Sequence, residues 1–195
     1  MNNNQNKSHQ VKEEKLHIIN ENTMALIPKY TKLAELHSTV FEKYKVENVS
    51  RSPLDIVEDS CDYYGSDLSG RINSAQKILK GQRMLPVIIS EVNKYCMVPL
   101  CSPKNTNCIW LAYKHVIDIV PKGNHSIIIF SNQKKLKLEI NRVVLEDKLN
   151  KGARLISTYD IRQEQATDLY KMNVVAEKAS LYTSGRNTYD DQIDR

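Results

Sequence analysis

The sequence predicts an α+β fold: N-terminal strands and a helical segment, a central antiparallel β-meander, then a long C-terminal helix packed on the sheet. Three observations predict it. Short apolar runs rich in β-branched residues occur before residue 50 and again between residues 86 and 140, each bounded by turn residues. A helix-start signal at Ser52-Pro53 separates the two sets. An apolar series at helical spacing follows the last run. At 195 residues and 41% hydrophobic content, the chain can bury a core of its own.

Taken in order, Leu16–Ile19, Met24–Tyr30 and Ser38–Val46 read as strands, with Pro28 restricting the second to a sheet edge. Ser52 is placed to cap a helix that has proline at its first position and Asp55 in its first turn. The glycine-punctuated stretch Gly65 to Gly70 ends that helix. Ile72, Ala75, Ile78 and Leu79 then recur at helical spacing until Gly81.

The meander follows as Pro86–Ser90, Tyr95–Leu100, Ile109–Val120, Ile127–Phe130 and Lys135–Ile140. The last strand has the clearest period of two, with Leu136, Leu138 and Ile140 on one face and Lys135, Lys137 and Glu139 on the other. Asn141 caps the final helix, whose expected inner face is Leu145, Leu149, Ala153 and Ile156. Gly152 weakens that helix by about 1 kcal/mol relative to alanine, so favourable packing is expected there. Residues 1–15 are expected as a flexible arm, 16–167 as the single domain, and 168–195 as a polar tail open to disorder.

Charge is unevenly spread. Residues 1–69 hold 8 basic and 11 acidic residues, 70–154 hold 15 and 5, and 155–195 hold 5 and 7. The net +5 therefore arises entirely in the middle, as a polyanion-binding surface requires. A solvated lysine-rich face is the plainer alternative. The polar, Asn-rich start is unlike a signal peptide, and no apolar run approaches membrane-spanning length, so a cytoplasmic protein without membrane contact is expected.

Enzymatic chemistry finds little support. Gly65 and Gly70 have the spacing of a phosphate-binding loop, but Arg71-Ile72 stand where Lys and Ser/Thr are needed. Cys96, Cys101, Cys108 and His115 are spaced too widely for zinc knuckles, and buried reduced thiols are expected instead. Cys61 lies among Glu58, Asp59 and Asp62, which disfavour a thiolate nucleophile. Trp110, the only tryptophan, reads as a core anchor, and two phenylalanines are too few for a single-strand stacking surface. No enzyme activity, cofactor or metal is expected.

The stretch Pro53-Leu54-Asp55-Ile56-Val57-Glu58-Asp59-Ser60-Cys61-Asp62-Tyr63-Tyr64-Gly65-Ser66, closed by Gly70-Arg71, resembles the signature of the competence transcription factor ComK family. Cys108-Ile109-Trp110 with His115-Val116, and Phe130-Ser131-Asn132, are similar to further family segments, in the same order over roughly residues 50–155. Gln133 replaces the glycine that follows Asn in the family's hairpin, and Cys96 and Cys101 have no counterpart in the pattern.

The resemblance implies a bacterial, DNA-binding transcription activator of competence genes, for DNA uptake and genetic transformation, located at the nucleoid. It implies binding to AT-rich double-stranded promoters, largely through the minor groove, by dimers that pair on one promoter. RNA polymerase and an adaptor–Clp protease system are the other implied partners. The physics is compatible, because AT-rich tracts narrow the minor groove and deepen its negative potential. The DNA-binding candidates are Arg71 from the signature, then Lys77, Lys80, Arg83, Lys104, Lys134, Lys135 and Lys137, most of them expected on phosphate. The alternative is a protein-interaction module of a regulatory complex without direct DNA contact, using the sheet or Tyr159, Tyr170, Tyr182 and Tyr189.

Overall fold

Strand formation begins at Thr23, and a computed structural model describes the chain from residue 16 to residue 186, with side chains to residue 177. The expected arm over 1–15 and the last tail residues, 187–195, lie outside the described residues. The chain divides into one unit ending at Leu155 and another beginning at Ile156.

The first unit contains every described strand. Six of them form one antiparallel sheet: β1 (Thr23–Tyr30), β2 (Leu36–Glu42), β3 (Val46–Val49), β4 (Val87–Ser90), β5 (Tyr95–Pro99) and β6 (Trp110–Ala112). Their spatial order is β3-β2-β1-β6-β5-β4. The remaining three, β7 (Val116–Lys122), β8 (His125–Phe130) and β9 (Lys135–Leu138), make a separate antiparallel sheet. The α+β class is as the sequence predicts. The central meander, however, is split between two sheets, because Tyr113–His115 forms a 3-10 turn inside the apolar run Ile109–Val120.

Two further expectations are corrected. Leu16–Ile19 is not a strand: the Ile19 N–H donates to Ser60 Oγ (3.0 Å) and its carbonyl accepts from Tyr64 OH (3.2 Å), so a helix takes up the backbone groups a ladder would use. β1 is not an edge strand, for it lies between β2 and β6. Pro28 is tolerated because β6 pairs only with Ala25 and Leu26, leaving the far half of β1 with one neighbour.

α1 (Pro53–Tyr63) starts as the sequence dictates. Ser52 Oγ accepts from Asp55 N, and the Asp55 carboxylate accepts from Ser52 N, a reciprocal cap. Gly65, at φ +79°, then turns the chain toward α2 (Leu68–Ile78), which Asp67 caps. Both helices cover one face of the six-stranded sheet. Ile56, Val57 and Cys61 meet Leu26, Met97 and Trp110 there, all fully buried.

The opposite sheet face carries the alternate residues Ala25, Cys96, Val98 and Leu111. The first turns of α3 (Arg142–Arg186) cover part of it. Val144 N donates to Asn141 Oδ1, the expected cap. The inner face is turned slightly from the expected one: Leu145, Leu149, Gly152 and Leu155 are buried, while Ala153 and Ile156 are half-buried. A Cβ at residue 152 would stand 3.1 Å from Val98 Cγ2 and 3.4 Å from the Tyr113 ring, so glycine permits the close approach. In the second unit the helix continues to Arg186, through a stretch whose apolar pattern fades after Asp168.

Candidate nucleic-acid interface

The residues that carry the family resemblance are mostly structural. Ser60 accepts from Ile19 N and donates to the Ile56 carbonyl (2.6 Å), locking the segment before β1 onto α1. Burial pushes the Cys61 thiol up to about 11 and the Cys96 and Cys108 thiols up to about 12, so none is a ready thiolate. Trp110 is fully buried, as a core anchor should be.

His115 joins the two sheets. Its Nε2–H donates to the Glu21 carbonyl (2.8 Å) and its Nδ1 accepts from the Ser131 hydroxyl (2.8 Å), while its own carbonyl accepts from Ser131 N (2.9 Å). Burial holds its pKa below the ordinary histidine value, which suits the neutral ring these bonds need. The pin fixes the β8–β9 hairpin beside the β2–β3 hairpin, where Asn132 Nδ2 donates to the Lys43 carbonyl (2.7 Å).

The hairpin turn itself compensates for its missing glycine. Gln133 N donates to the Phe130 carbonyl (2.8 Å), Phe130 N donates to the Lys134 carbonyl (2.9 Å), and Gln133 takes up φ +64°. This is a three-residue loop with a left-handed last residue, a position glycine normally fills. Lys134 is exposed where it closes the loop opposite Phe130, and Lys135 and Lys137 point from β9 into solvent while Leu138 is buried. Lys137 Nζ lies 3.0 Å from Glu139, and the lysine holds that carboxylate below its usual range.

The three-stranded sheet thus has one closed and one open face. Ile119, Ile128, Phe130 and Leu138 are buried. Across the open face, the cross-strand rows Asp118–Ile129–Lys135 and Val120–Ile127–Lys137 are exposed or half-buried. At the hairpin end of this sheet lies an open concavity of about 440 Å³, lined by Glu21, Asn22, Lys43, Tyr44, Lys114, His115 and Ser131. Lys43 Nζ sits 5.3 Å from the centre of the Tyr44 ring, and Lys114 Nζ sits 4.7 Å from that of Tyr95.

The sequence candidates do not form one patch. Lys134, Lys135 and Lys137 gather on the β8–β9 hairpin. Lys77, Lys80 and Arg83 are exposed at the end of α2 and in the turn leading to β4. Lys104 is exposed in the β5–β6 loop, at the end of the six-stranded sheet away from Lys43 and Lys114. β4 and β2 are four strand spacings apart, on the order of 19 Å. Arg71 is mostly buried and forms an ion pair with Glu91, which orients α2 against the β4–β5 turn.

Sequence reasoning missed Lys43 and Lys114. Lys43 lies in the net-acidic first third, where a count over many residues hides it, and Lys114 sits inside an apolar run broken only by the 3-10 turn. The family's His-Val segment was the available signal, since His115 adjoins both Lys114 and the hairpin that meets Lys43.

Of the tyrosines named for protein docking, Tyr159 is half-buried and Tyr170 is exposed; Tyr189 and the side chain of Tyr182 lie outside the described residues. Among the described residues, no helix is long and apolar enough to cross a membrane.

A family model described as ComK protein matches residues 13–164. The chain is also similar to a competence transcription factor of Bacillus subtilis (strain 168), at 26% identity over 145 residues, which is 74% of this chain and 75% of that protein. No solved structure matches.

Proposed function

The chain belongs to the ComK protein family, and from that premise we propose that it is a transcription regulator of competence genes that binds AT-rich duplex DNA through the minor groove. The observation that supports this reading best is the Asn132–Lys43 bond. It brings the β8–β9 hairpin, on which Lys134, Lys135 and Lys137 are exposed, beside Lys43, which lines one open concavity with Lys114. Such a group can hold phosphates on both sides of a narrow groove, where positive side chains are attracted without a base-edge code.

In this reading Lys134, Lys135, Lys137, Lys43 and Lys114 make the primary contacts. Lys77, Lys80, Arg83 and Lys104 serve a more distant stretch of duplex or a second copy on the same promoter. Arg71 contributes by holding α2 through Glu91. Activation of transcription, contact with RNA polymerase, and turnover by an adaptor–Clp system belong to the same proposal, as does a location at the nucleoid.

A gel-shift series over increasing salt, on AT-rich and GC-rich duplexes, tests it. AT-preferring binding that weakens steeply with salt and is displaced by a minor-groove dye is the expected result. Salt-insensitive binding, or equal affinity for both duplexes, rejects it. A second reading, a protein-interaction module without DNA contact, draws on the exposed Ile161, Leu169, Tyr170, Met172 and Val175 of the second unit. It predicts that charge reversal at Lys134, Lys135 and Lys137 leaves function intact.

A further inference from the structure

Outside the basic surface, one group of side chains combines burial, charge and an unmet bonding need. His17, in the segment before β1, is only 7% exposed and sits between two glutamates of the β2–β3 hairpin, Glu42 at the end of β2 and Glu47 within β3. Its Nδ1–H donates to Glu47 Oε1 (2.9 Å). Its other ring nitrogen, Nε2, is buried and has no hydrogen-bond partner. It faces Glu42 Oε1 at 3.9 Å. That gap is too long for a hydrogen bond.

We propose that His17, Glu42 and Glu47 form a binding site for one divalent first-row transition ion of the zinc type. One donor atom from each of the three residues can be chosen so that all lie within 4.8 Å of one another. Ligands around zinc stand at about 2.0–2.2 Å from the ion and so roughly 3.4 Å apart in a tetrahedron. Small side-chain rotations close that difference. An imidazole nitrogen with two carboxylates favours such an ion over Mg²⁺ or Ca²⁺, which prefer all-oxygen shells.

Among the described residues, Lys45 reaches both carboxylates: its Nζ lies 2.8 Å from Glu47 Oε2 and 3.3 Å from Glu42 Oε2. Its side chain is half exposed, so it can swing out as the ion enters. An ion exchanged for the ammonium leaves the cluster neutral, since +2 balances two carboxylates. It also frees Lys45 on the hairpin whose Lys43 lines the basic concavity, and it ties the segment at His17 to that hairpin.

The test uses the full chain stripped with a chelator, titrated calorimetrically with Zn²⁺ and spectroscopically with Co²⁺. One Zn²⁺ per chain is expected, with affinity reduced at least tenfold in His17→Gln and Glu47→Gln and raised several-fold in Lys45→Met. The Co²⁺ spectrum should lack the intense thiolate charge-transfer band, which separates this site from the four cysteines. A merely structural role for Lys45 does not predict tighter metal binding on its removal. That keeps the proposal exposed even where His17→Gln fails to fold. Absence of Zn²⁺ uptake by the wild-type chain overturns it, as does unchanged uptake in Glu47→Gln or a thiolate band with Co²⁺.

Discussion

In the six-stranded sheet, neighbours such as Ala25 and Leu26, or Met97 and Val98, point to opposite faces and are all fully buried, because α1 and α2 cover one side and α3 reaches the other. In the three-stranded sheet only alternate residues are buried: Ser126, Ile128 and Phe130 on β8, and Leu138 on β9. The pairing is antiparallel in both. What differs is the number of faces that must be kept from water, and that decides where charge can go. Where both faces are covered, around β6, β5 and the first half of β1, the six-stranded sheet supplies stability and leaves no room for function on its faces. Burial alternates toward β2 and β3. The half-open sheet gives up part of its burial and can hold lysines in a fixed row.

The sharpest way to break this division is to remove apolar volume from the closed sheet. Trp110→Ala takes a fully buried ring out of the contact between β6 and the helices. A loss of about 3–5 kcal/mol is expected from the lost burial and the cavity left behind, measured by urea unfolding. A loss below about 1 kcal/mol would show that the six-stranded sheet is not the main store of stability.

The open face should respond in the reverse sense. Replacing Lys134, Lys135 and Lys137 together by Ala removes no buried contact, so the urea midpoint should hardly move. DNA affinity at low salt should fall at least tenfold, and the slope of log affinity against log salt should shrink by roughly 2–3, one phosphate contact per lysine at most. The same experiment on Lys77, Lys80 and Arg83 refines the comparison. A comparable loss there would mean that the duplex also runs past the β4 edge.

His115 lies where the two sheets meet, and its pKa is lowered by burial. The unfolded chain takes up a proton near pH 6.5, whereas the folded chain resists it until lower pH. The stabilisation from the neutral ring is therefore complete above about pH 6.5 and is lost as pH falls through the depressed folded value. His115→Asn should cost about 1–2 kcal/mol at pH 8 through a lost hydrogen bond, and less at pH 5. Unfolding curves at the two pH values check this, and a difference that grows toward pH 5 would contradict it.

Much of the fold was legible wherever local chemistry decides it. Ser52 with Asp55, Gly65, Asn141 and the alternation along β9 each specify structure within a few residues, and each was readable. The insertion of β1 between β2 and β6 was not, because residues that pair across some 85 positions, such as Leu26 and Trp110, leave no local trace. The strands of the closed sheet also read as plain apolar runs, which hid the break at Tyr113–His115. Charge counting singles out the lysines of the β8–β9 hairpin, since they follow one another in sequence. It could not find Lys43, which joins them only through the Asn132 bond.

The turn of that hairpin offers the finest adjustment of the comparison. Gln133 holds φ +64°, a conformation in which a Cβ crowds the following carbonyl, and its backbone N–H already serves the turn through Phe130. Glycine occupies this region without the clash, at the cost of more freedom in the unfolded chain, so the two effects oppose each other. Because relief of the clash outweighs that added freedom, Gln133→Gly should stabilise the protein by about 1 kcal/mol or slightly less. The Gln133 side chain is exposed, so no packing is lost. Thermal unfolding measures the gain, and Gln133→Ala serves as the control that removes the side chain beyond Cβ and keeps the strain. Equal midpoints for the Gly and Ala variants would show that the left-handed residue is not strained. A gain in stability with unchanged DNA affinity would show that the geometry of the turn is not what places Lys134 for binding. A gain in stability with weaker binding would mean that the strained turn itself aims the lysine at the groove.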